Sequence, residues 1–409
     1  MNLKQLTASE FQTFVQQVPD ASFLQTVEMS KLLEKRHYQT EFLGLKINGQ
    51  LQVVALVHSV KMFGGLHMEV NGGPVSHSTD YLATFYQHLK QYAKQRGALQ
   101  LVVKPNDTYQ QFDSFGQPTS DANTTIITTL TQQGFVHEGL KTGYGDNADW
   151  IYVKDLTDVT TETLVSTFGK NGKASVKKTA EFNVKVRQLT KEELPLFKAV
   201  TSETAQRQGF VDKPLEYYQY FFDAFQNNVE FMVASLNSDD YKAYLTMRQT
   251  TLENEIAPLE LEASTQNLSY TKNNQLKILK KQLDALLVRQ SDADKLIEKY
   301  GHGDITLAAS LFVYTPQEVV YLFSGSYTEL NKFDGAAMLQ KYAMEQTIKR
   351  QIKRYNFLGI AGTFDGSDGV LRFKQGFNGY VLRKAGVFKY YPNPLKNKVI
   401  HIIKKIMRR

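Results

Sequence analysis

The chain has 409 residues, 42% of them apolar and 12% aromatic, enough for two domains that each bury a core. With no cysteine, disulfides, thiolate catalysis and cysteine-ligated metals are excluded, and no apolar run reaches the roughly 18 residues that would span a membrane. The net charge of +7 gathers between Lys170 and Lys213 and over residues 396–409, and clustered positive charge points to nucleic acid, a phosphorylated substrate or anionic lipid.

The opening segment, residues 1–11, has no apolar stretch of secretory type, so a cytoplasmic protein is expected. In chain order, apolar periodicity predicts a helix over Glu28–Arg36. Strands Glu41–Ile47 and Leu51–Val60 follow, joined by Asn48-Gly49, the strongest short hairpin signal. A strand Leu66–Val70 breaks at Gly72-Gly73-Pro74. A helix with Leu82, Phe85, Tyr86, Leu89 and Tyr92 on one face runs to Gly97, and strand Leu99–Val103 ends at Pro105. The order recurs with strands Glu230–Leu236, Ile305–Tyr314 and Glu318–Phe323, a helix carrying Met338, Leu339, Tyr342, Met344 and Ile348, and strand Tyr355–Ile360. Strand, strand, strand, helix, strand, read twice, is a duplicated α/β unit of α+β type with mainly antiparallel pairing.

Where the first copy has Asn48-Gly49, the second has about 65 residues. Leu245, Leu252, Ile256, Leu259 and Ala263 keep spacings of three and four after a missed position at Gln249. Leu276, Leu279, Leu283, Leu286, Ala293 and Ile297 do the same around Gln290. The pattern predicts an antiparallel helical hairpin, a coiled-coil arm grown from a β-turn, with Pro258 expected to kink its first helix.

The eight histidines show no HxH or HExxH spacing, so no metal site is expected. No GxSxG elbow or GxGxxG fingerprint occurs. Gly169–Ser175 is not a phosphate loop: its glycines are three apart instead of five, and Ala174 follows the lysine. The reaction, if there is one, rests on positioning and fixed charge. Lys170, Lys173, Lys177 and Lys178 have only Phe168 nearby for stacking, which suits phosphate contact better than base readout. Val399, Ile402, Ile403 and Ile406, at i, i+3, i+4 and i+7 among lysines, form a basic amphipathic helix. It either lies on an anionic membrane surface or packs Ile402 and Ile406 onto the core.

Several segments, in order over nearly the whole chain, resemble the Fem aminoacyltransferase family. They are Phe23–Glu28, Gly73-Pro74-Val75, Gly169–Lys178, Val184–Arg187, Gln208-Gly209-Phe210, Lys213–Tyr218, the arm, Val320–Ser326, Tyr355-Asn356-Phe357 with Gly359, and Arg372–Phe377. Segment 25–38 resembles the members that add a second branch residue, the MurN type. The resemblance implies two acetyltransferase-like (GNAT-type) domains with an inserted arm. The first comprises residues 1–153, completed by about 384–409; the second comprises 154–236 and 305–383; the arm is 237–304.

The resemblance also implies an enzyme with no cofactor. It would transfer Gly, Ala or Ser from aminoacyl-tRNA to the stem-peptide lysine, or to the growing branch, of a peptidoglycan precursor. The acceptor would be a lipid-linked or UDP-linked muropeptide, the basic C-terminal helix favouring the lipid-linked one at the inner face of the membrane. Lys374, with Phe373 beside it, matches the family position that supports charge near the tRNA end. Lys213, Tyr217, Tyr321 and Lys31 fall where relatives hold the muropeptide, and the tRNA donor that the resemblance implies would have the phosphates of its acceptor stem met by Lys170, Lys173, Lys177 and Lys178. Departures from the family pattern are Lys104 for an Asp before Pro105, Leu33 at a basic position with Lys31 half a turn away, and Phe323 for a Tyr. The competing readings are an acyl-CoA N-acyltransferase, for which Gln375–Gly379 leads into strand where a phosphate turn would lead into helix, and a non-catalytic scaffold binding tRNA or membrane.

Overall fold

The computed structural model describes residues 3–407, without the side chains of residues 401 and 404–407. Two eight-stranded mixed sheets carry the chain. In the first, Gln39–Ile47, Gln50–Met62 and Gly65–Asn71 form an antiparallel meander, and Ala98–Lys104 joins parallel to Gly65–Asn71 after the helix Leu82–Gln95. In the second, Val229–Asn237, Asp304–Tyr314 and Glu318–Ser326 form the meander. Arg354–Gly359 joins parallel to Glu318–Ser326 after the helix Gly335–Lys349. The duplication expected from the pattern is therefore present strand for strand.

The units interleave where the sequence suggested a cleaner boundary. Thr108–Phe112, which falls within the expected first domain, pairs with Tyr380–Lys384 in the second sheet. Trp150–Asp155 lies between Arg354–Gly359 and Tyr380–Lys384. Between these excursions the chain returns to the first sheet with Val136–His137, which pairs with Phe388–Tyr390. One apolar core also runs through both units: Phe11, Leu32 and Leu56 from the first pack with Phe197, Tyr218, Phe231 and Val320 from the second. Helices Leu194–Gln208 and Leu215–Phe225 contribute Phe197, Tyr218 and Phe221 to that shared core. Polar ties fasten the seam: the Arg354 guanidinium lies 3.0 Å from Asp20, and the Gln317 amide donates to the carbonyls of Val15 and Val18.

The arm grows from the predicted turn. Helices Ser238–Thr265 and Tyr270–Tyr300 leave from Asn237 and return to Asp304, which are paired to each other. Leu245, Leu252 and Ile256 are buried against Leu276, Leu279, Leu286 and Ala293. The two breaks in the heptads match: the amide of Gln290 donates to Gln249 at 2.7 Å, so each fills the gap left by the other. The helix continues through Pro258 without interruption.

Helix Lys170–Glu181 packs with Gly172, Val176 and Thr179 inward. Gly169 N–H donates to the Gly376 carbonyl (3.0 Å), and a Cβ on Gly172 would collide with that same carbonyl. The glycine spacing that imitates a phosphate loop is a close-packing requirement, since backbone cannot move aside as a flexible side chain can. Replacing Gly172 by Ala is expected to destabilise the protein by about 1–3 kcal/mol, read as a lowered midpoint in thermal unfolding. An unchanged midpoint would show that the two backbones separate freely.

Candidate active site

The two copies differ at the parallel ladder. In the first, six pairs run from Leu66↔Ala98 to Asn71↔Lys104. In the second, pairing stops after Glu318↔Arg354, Val319↔Tyr355 and Val320↔Asn356, although both strands continue. Beyond that point they diverge and line opposite walls of a pocket of about 1080 Å³, Tyr321, Leu322 and Ser324–Ser326 on one side and Phe357–Ala361 on the other. Helix Gly335–Lys349 begins at its rim without a side-chain cap, Asp334 being left-handed there, and Gly335, Ala336 and Ala337 line the pocket.

The closed end of the wedge is held by Glu318, whose carboxylate accepts from Arg354 Nε and Asn356 Nδ2, each at 3.1 Å. Asn356 Oδ1 in turn accepts from the N–H of Leu358 (2.8 Å). Leu358 adopts φ +63°, a left-handed conformation costly for a side chain with a Cβ. It follows a bulge against Tyr152. The bulge directs the carbonyls of Leu358 and Gly359 toward Lys374, whose ammonium donates to them at 3.2 and 2.6 Å.

Lys374 belongs to the short helix Gly369–Gln375, capped by Asp368, and its side chain is buried. Burial pulls its pKa down to about 7, with Asp368 opposing weakly. Phe373, beside it, stacks edge-on against Phe377 and faces the pocket. Asp368 also accepts from Ala361 N–H and from the Tyr144 hydroxyl, fixing the loop that rims the pocket. Arg207 and Arg372 add positive charge to the lining.

The residues assigned to muropeptide divide between two places. A bulge at Leu322, where Leu311 pairs with Phe323 and Phe312 with Tyr321, turns neighbouring side chains to opposite faces. Tyr321 stacks on Phe312 and lines the wedge. Phe323 instead packs on Tyr217, ring centroids 5.9 Å apart, at the seam between the units. There the Lys213 ammonium lies 5.7 Å from the Tyr217 ring and the Arg36 guanidinium 5.3 Å from it. Arg36 is also 5.4 Å from Tyr38, which meets His58 edge-on. Among the described residues neither Arg36 nor Lys213 has an ion-pair partner. Burial raises the Tyr217 hydroxyl to about 12, so it stays a donor, and lowers His58 to about 4, so it stays neutral.

Lys31 does not join this cluster. It sits exposed on helix Val27–Lys35, while Leu33 is buried in the shared core. The basic group at the seam is Arg36, just past the helix end, where left-handed His37 reverses the chain. A basic residue at a helix C-terminus beside a chain reversal was the available signal. Lys170, Lys173 and Lys177 project outward from their helix, but Lys178 is paired with Asp334 at 3.1 Å. Lys104 pairs with Glu69 at 2.9 Å inside the closed ladder of the first unit. Among the described residues no group of three His, Asp or Glu side chains is placed to hold a metal.

Family comparison matches the FemAB family over residues 6–405. The chain belongs to the FemAB family. It is 29% identical over 402 residues to the aminoacyltransferase FemA of Staphylococcus aureus, covering 95% of this chain and 94% of that protein. The crystal structure of FemX superposes with a TM-score of 0.76 at 20% identity, covering 98% of this chain and all of that one. A tandem GNAT protein from the clavulanic acid biosynthesis pathway superposes at 0.51 with 8% identity over 96% and 99% of the two chains. The likeness to both structures establishes the fold: two GNAT-like units in tandem.

The depressed pKa of Lys374 predicts a pH signature. An unfolded lysine titrates near 10.4. Between about 7 and 10 the unfolded chain therefore binds the extra proton, and stability gained from this group rises with pH. Below 7 both states are protonated and the cost of burying the charge is complete. Wild type should gain stability over Lys374→Met as pH rises through that window, by at most about 1.4 kcal/mol per unit. Denaturant unfolding at pH 6, 8 and 10 checks this, and a constant difference would refute it.

Proposed function

We propose that this FemAB chain is an aminoacyltransferase that moves an aminoacyl group from a charged tRNA to an amine of a peptidoglycan precursor, extending the interpeptide bridge. The observation carrying the proposal is the open wedge in the second sheet, a pocket lined by Lys374, Tyr321, Arg207 and Arg372. The donor's esterified end would enter the pocket, with its phosphates near Arg207, Arg372 and the uncapped start of helix Gly335–Lys349. Lys170, Lys173 and Lys177 would meet phosphates farther along the stem. The acceptor's phosphates would lie between Arg36 and Lys213, with the Tyr217 hydroxyl as a third donor.

The ester is already activated, so the acceptor amine attacks its carbonyl carbon without a covalent enzyme intermediate. A C–N bond forms, the bond to the ribose oxygen breaks, the amine gives up one proton, and the ribose oxygen takes one. What the protein supplies is proximity and orientation. Lys374 would serve first by holding the Leu358 and Gly359 carbonyls and so the shape of the wall, its charge adding to the field felt by the tetrahedral oxyanion.

One observation favours a second reading. An uncapped helix start with Gly335, Ala336 and Ala337 at the wedge is also what a coenzyme A pyrophosphate requires, and it is a different element from Gln375–Gly379, the segment weighed in the sequence. The deciding experiment offers radiolabelled Ala, Ser or Gly on tRNA to lipid-linked and UDP-linked muropeptides, with and without a first branch residue. Transfer to a muropeptide is expected; transfer only to branched acceptors would make the chain a second-residue enzyme. No transfer from any tRNA, with acetyl transfer from acetyl-CoA, would replace the proposal by the second reading.

Arg36→Ala should weaken muropeptide binding by about 10- to 100-fold, the worth of a charge-assisted hydrogen bond. Lys31→Ala should leave it unchanged. Titration by calorimetry tests both, and equal losses in the two variants would dissolve the seam site.

A further inference from the structure

The C-terminal helix Pro394–Met407 turns its apolar stripe away from the protein. Among its described side chains the one buried apolar group is Ile400, seated on the hairpin that joins Gln50–Met62 to Gly65–Asn71. A Cβ on Gly64, in the left-handed turn of that hairpin, would collide with Ile400. Leu395, Val399 and Ile402, at i, i+4 and i+7, are 76%, 55% and 60% exposed, and Ile403 is exposed at their margin. Packing of Ile402 onto the core is thereby overturned, and Ile406 lies outside the side chains described. The hairpin adds Phe63, 52% exposed, beside the residue on which the helix is seated.

This corner is edged with cations. Lys61, Lys396 and Lys398 are exposed, the sequence continues with Lys404, Lys405, Arg408 and Arg409, and residues 391–409 contain no acid. Lysine is depleted from the cores of protein–protein interfaces, whereas apolar side chains ringed by lysine suit a bilayer, the former entering the acyl boundary while the latter meet headgroup phosphates. We propose that Phe63 and the outward stripe of the C-terminal helix together form a docking surface for an anionic lipid bilayer. The helix alone was suggested by its periodicity; the structure adds the orientation of the stripe and the hairpin as a second insertion point. The surface holds whether or not the transferase reading does.

Co-sedimentation of the full-length protein with vesicles of phosphatidylglycerol, and of phosphatidylcholine alone, tests the proposal at low and high salt. Wild type is expected to bind the anionic vesicles at low salt and to release them as salt rises. Val399→Ser with Ile402→Ser should lower affinity at least about tenfold, and Phe63→Ser several-fold. Lys396→Glu with Lys398→Glu should lower it about as much as the apolar pair and flatten the salt dependence. All these positions are exposed, so an unchanged thermal midpoint verifies folding. The proposal is overturned if wild type ignores anionic vesicles or if the apolar variants bind as wild type does. Loss confined to the helix variants, with Phe63→Ser unaffected, would overturn the two-part surface. Dimerisation of wild type abolished in Val399→Ser with Ile402→Ser, with lipid binding intact, would make the corner a contact between copies.

Discussion

A parallel ladder that stops after three residue pairs is the constraint around which the second unit is arranged. Two parallel strands that part must satisfy or shield the backbone groups they no longer share, and the surrounding side chains do this in sequence. Glu318, Arg354 and Asn356 close the narrow end, while the Leu358 bulge and Lys374 set the wall farther out. Ser326, at the far end, gives its N–H to Thr204 and its carbonyl to Arg207. In the first unit the equivalent ladder is complete and Lys104 and Glu69 sit paired within it. Duplication has left one copy open and one closed, the closed copy supplying Arg36 and Tyr38 as one side of the seam.

Buried cations accompany the open copy. Burial also lowers Lys154 and Lys384 to about 8, and each ammonium, like that of Lys374, donates to a main-chain carbonyl, Asn378 and Asn106 respectively. A lysine committed to carbonyls in this way has exchanged hydration for backbone control. It stabilises unusual backbone such as left-handed Leu358 at a standing electrostatic cost, a trade that is sensible only where wall shape matters more than overall stability.

The elements with strong periodicity were legible in the sequence. The two meanders, the arm and the site of its insertion follow from alternation, from Asn48-Gly49 and from heptads whose breaks at Gln249 and Gln290 answer each other. The bulges were not. A single extra residue at Leu322 or before Leu358 reverses which face a side chain occupies, yet leaves no mark in composition, and so the separation of Tyr321 from Phe323 could not be read. Arg36 escaped because its position depends on a left-handed residue after a helix end, a conformation that His37 does not advertise as Gly would. The assignment of Thr108–Phe112 to the second sheet rests on pairing with residues some 270 positions away, beyond the reach of local pattern.

That last pairing bears on how the molecule is made. A ribosome releases the chain from its N-terminus, and Ala98–Lys104 has no neighbour on its outer side until Phe388–Tyr390 emerges. Thr108–Phe112 likewise waits for Tyr380–Lys384. The arm, whose contacts are local, can form as soon as it clears the exit tunnel, but the second sheet waits for Tyr380–Lys384 and the first for Phe388–Tyr390. Nascent copies thus carry unpaired strand edges until those last strands arrive, the kind of exposure that lets incompletely folded chains associate edge to edge.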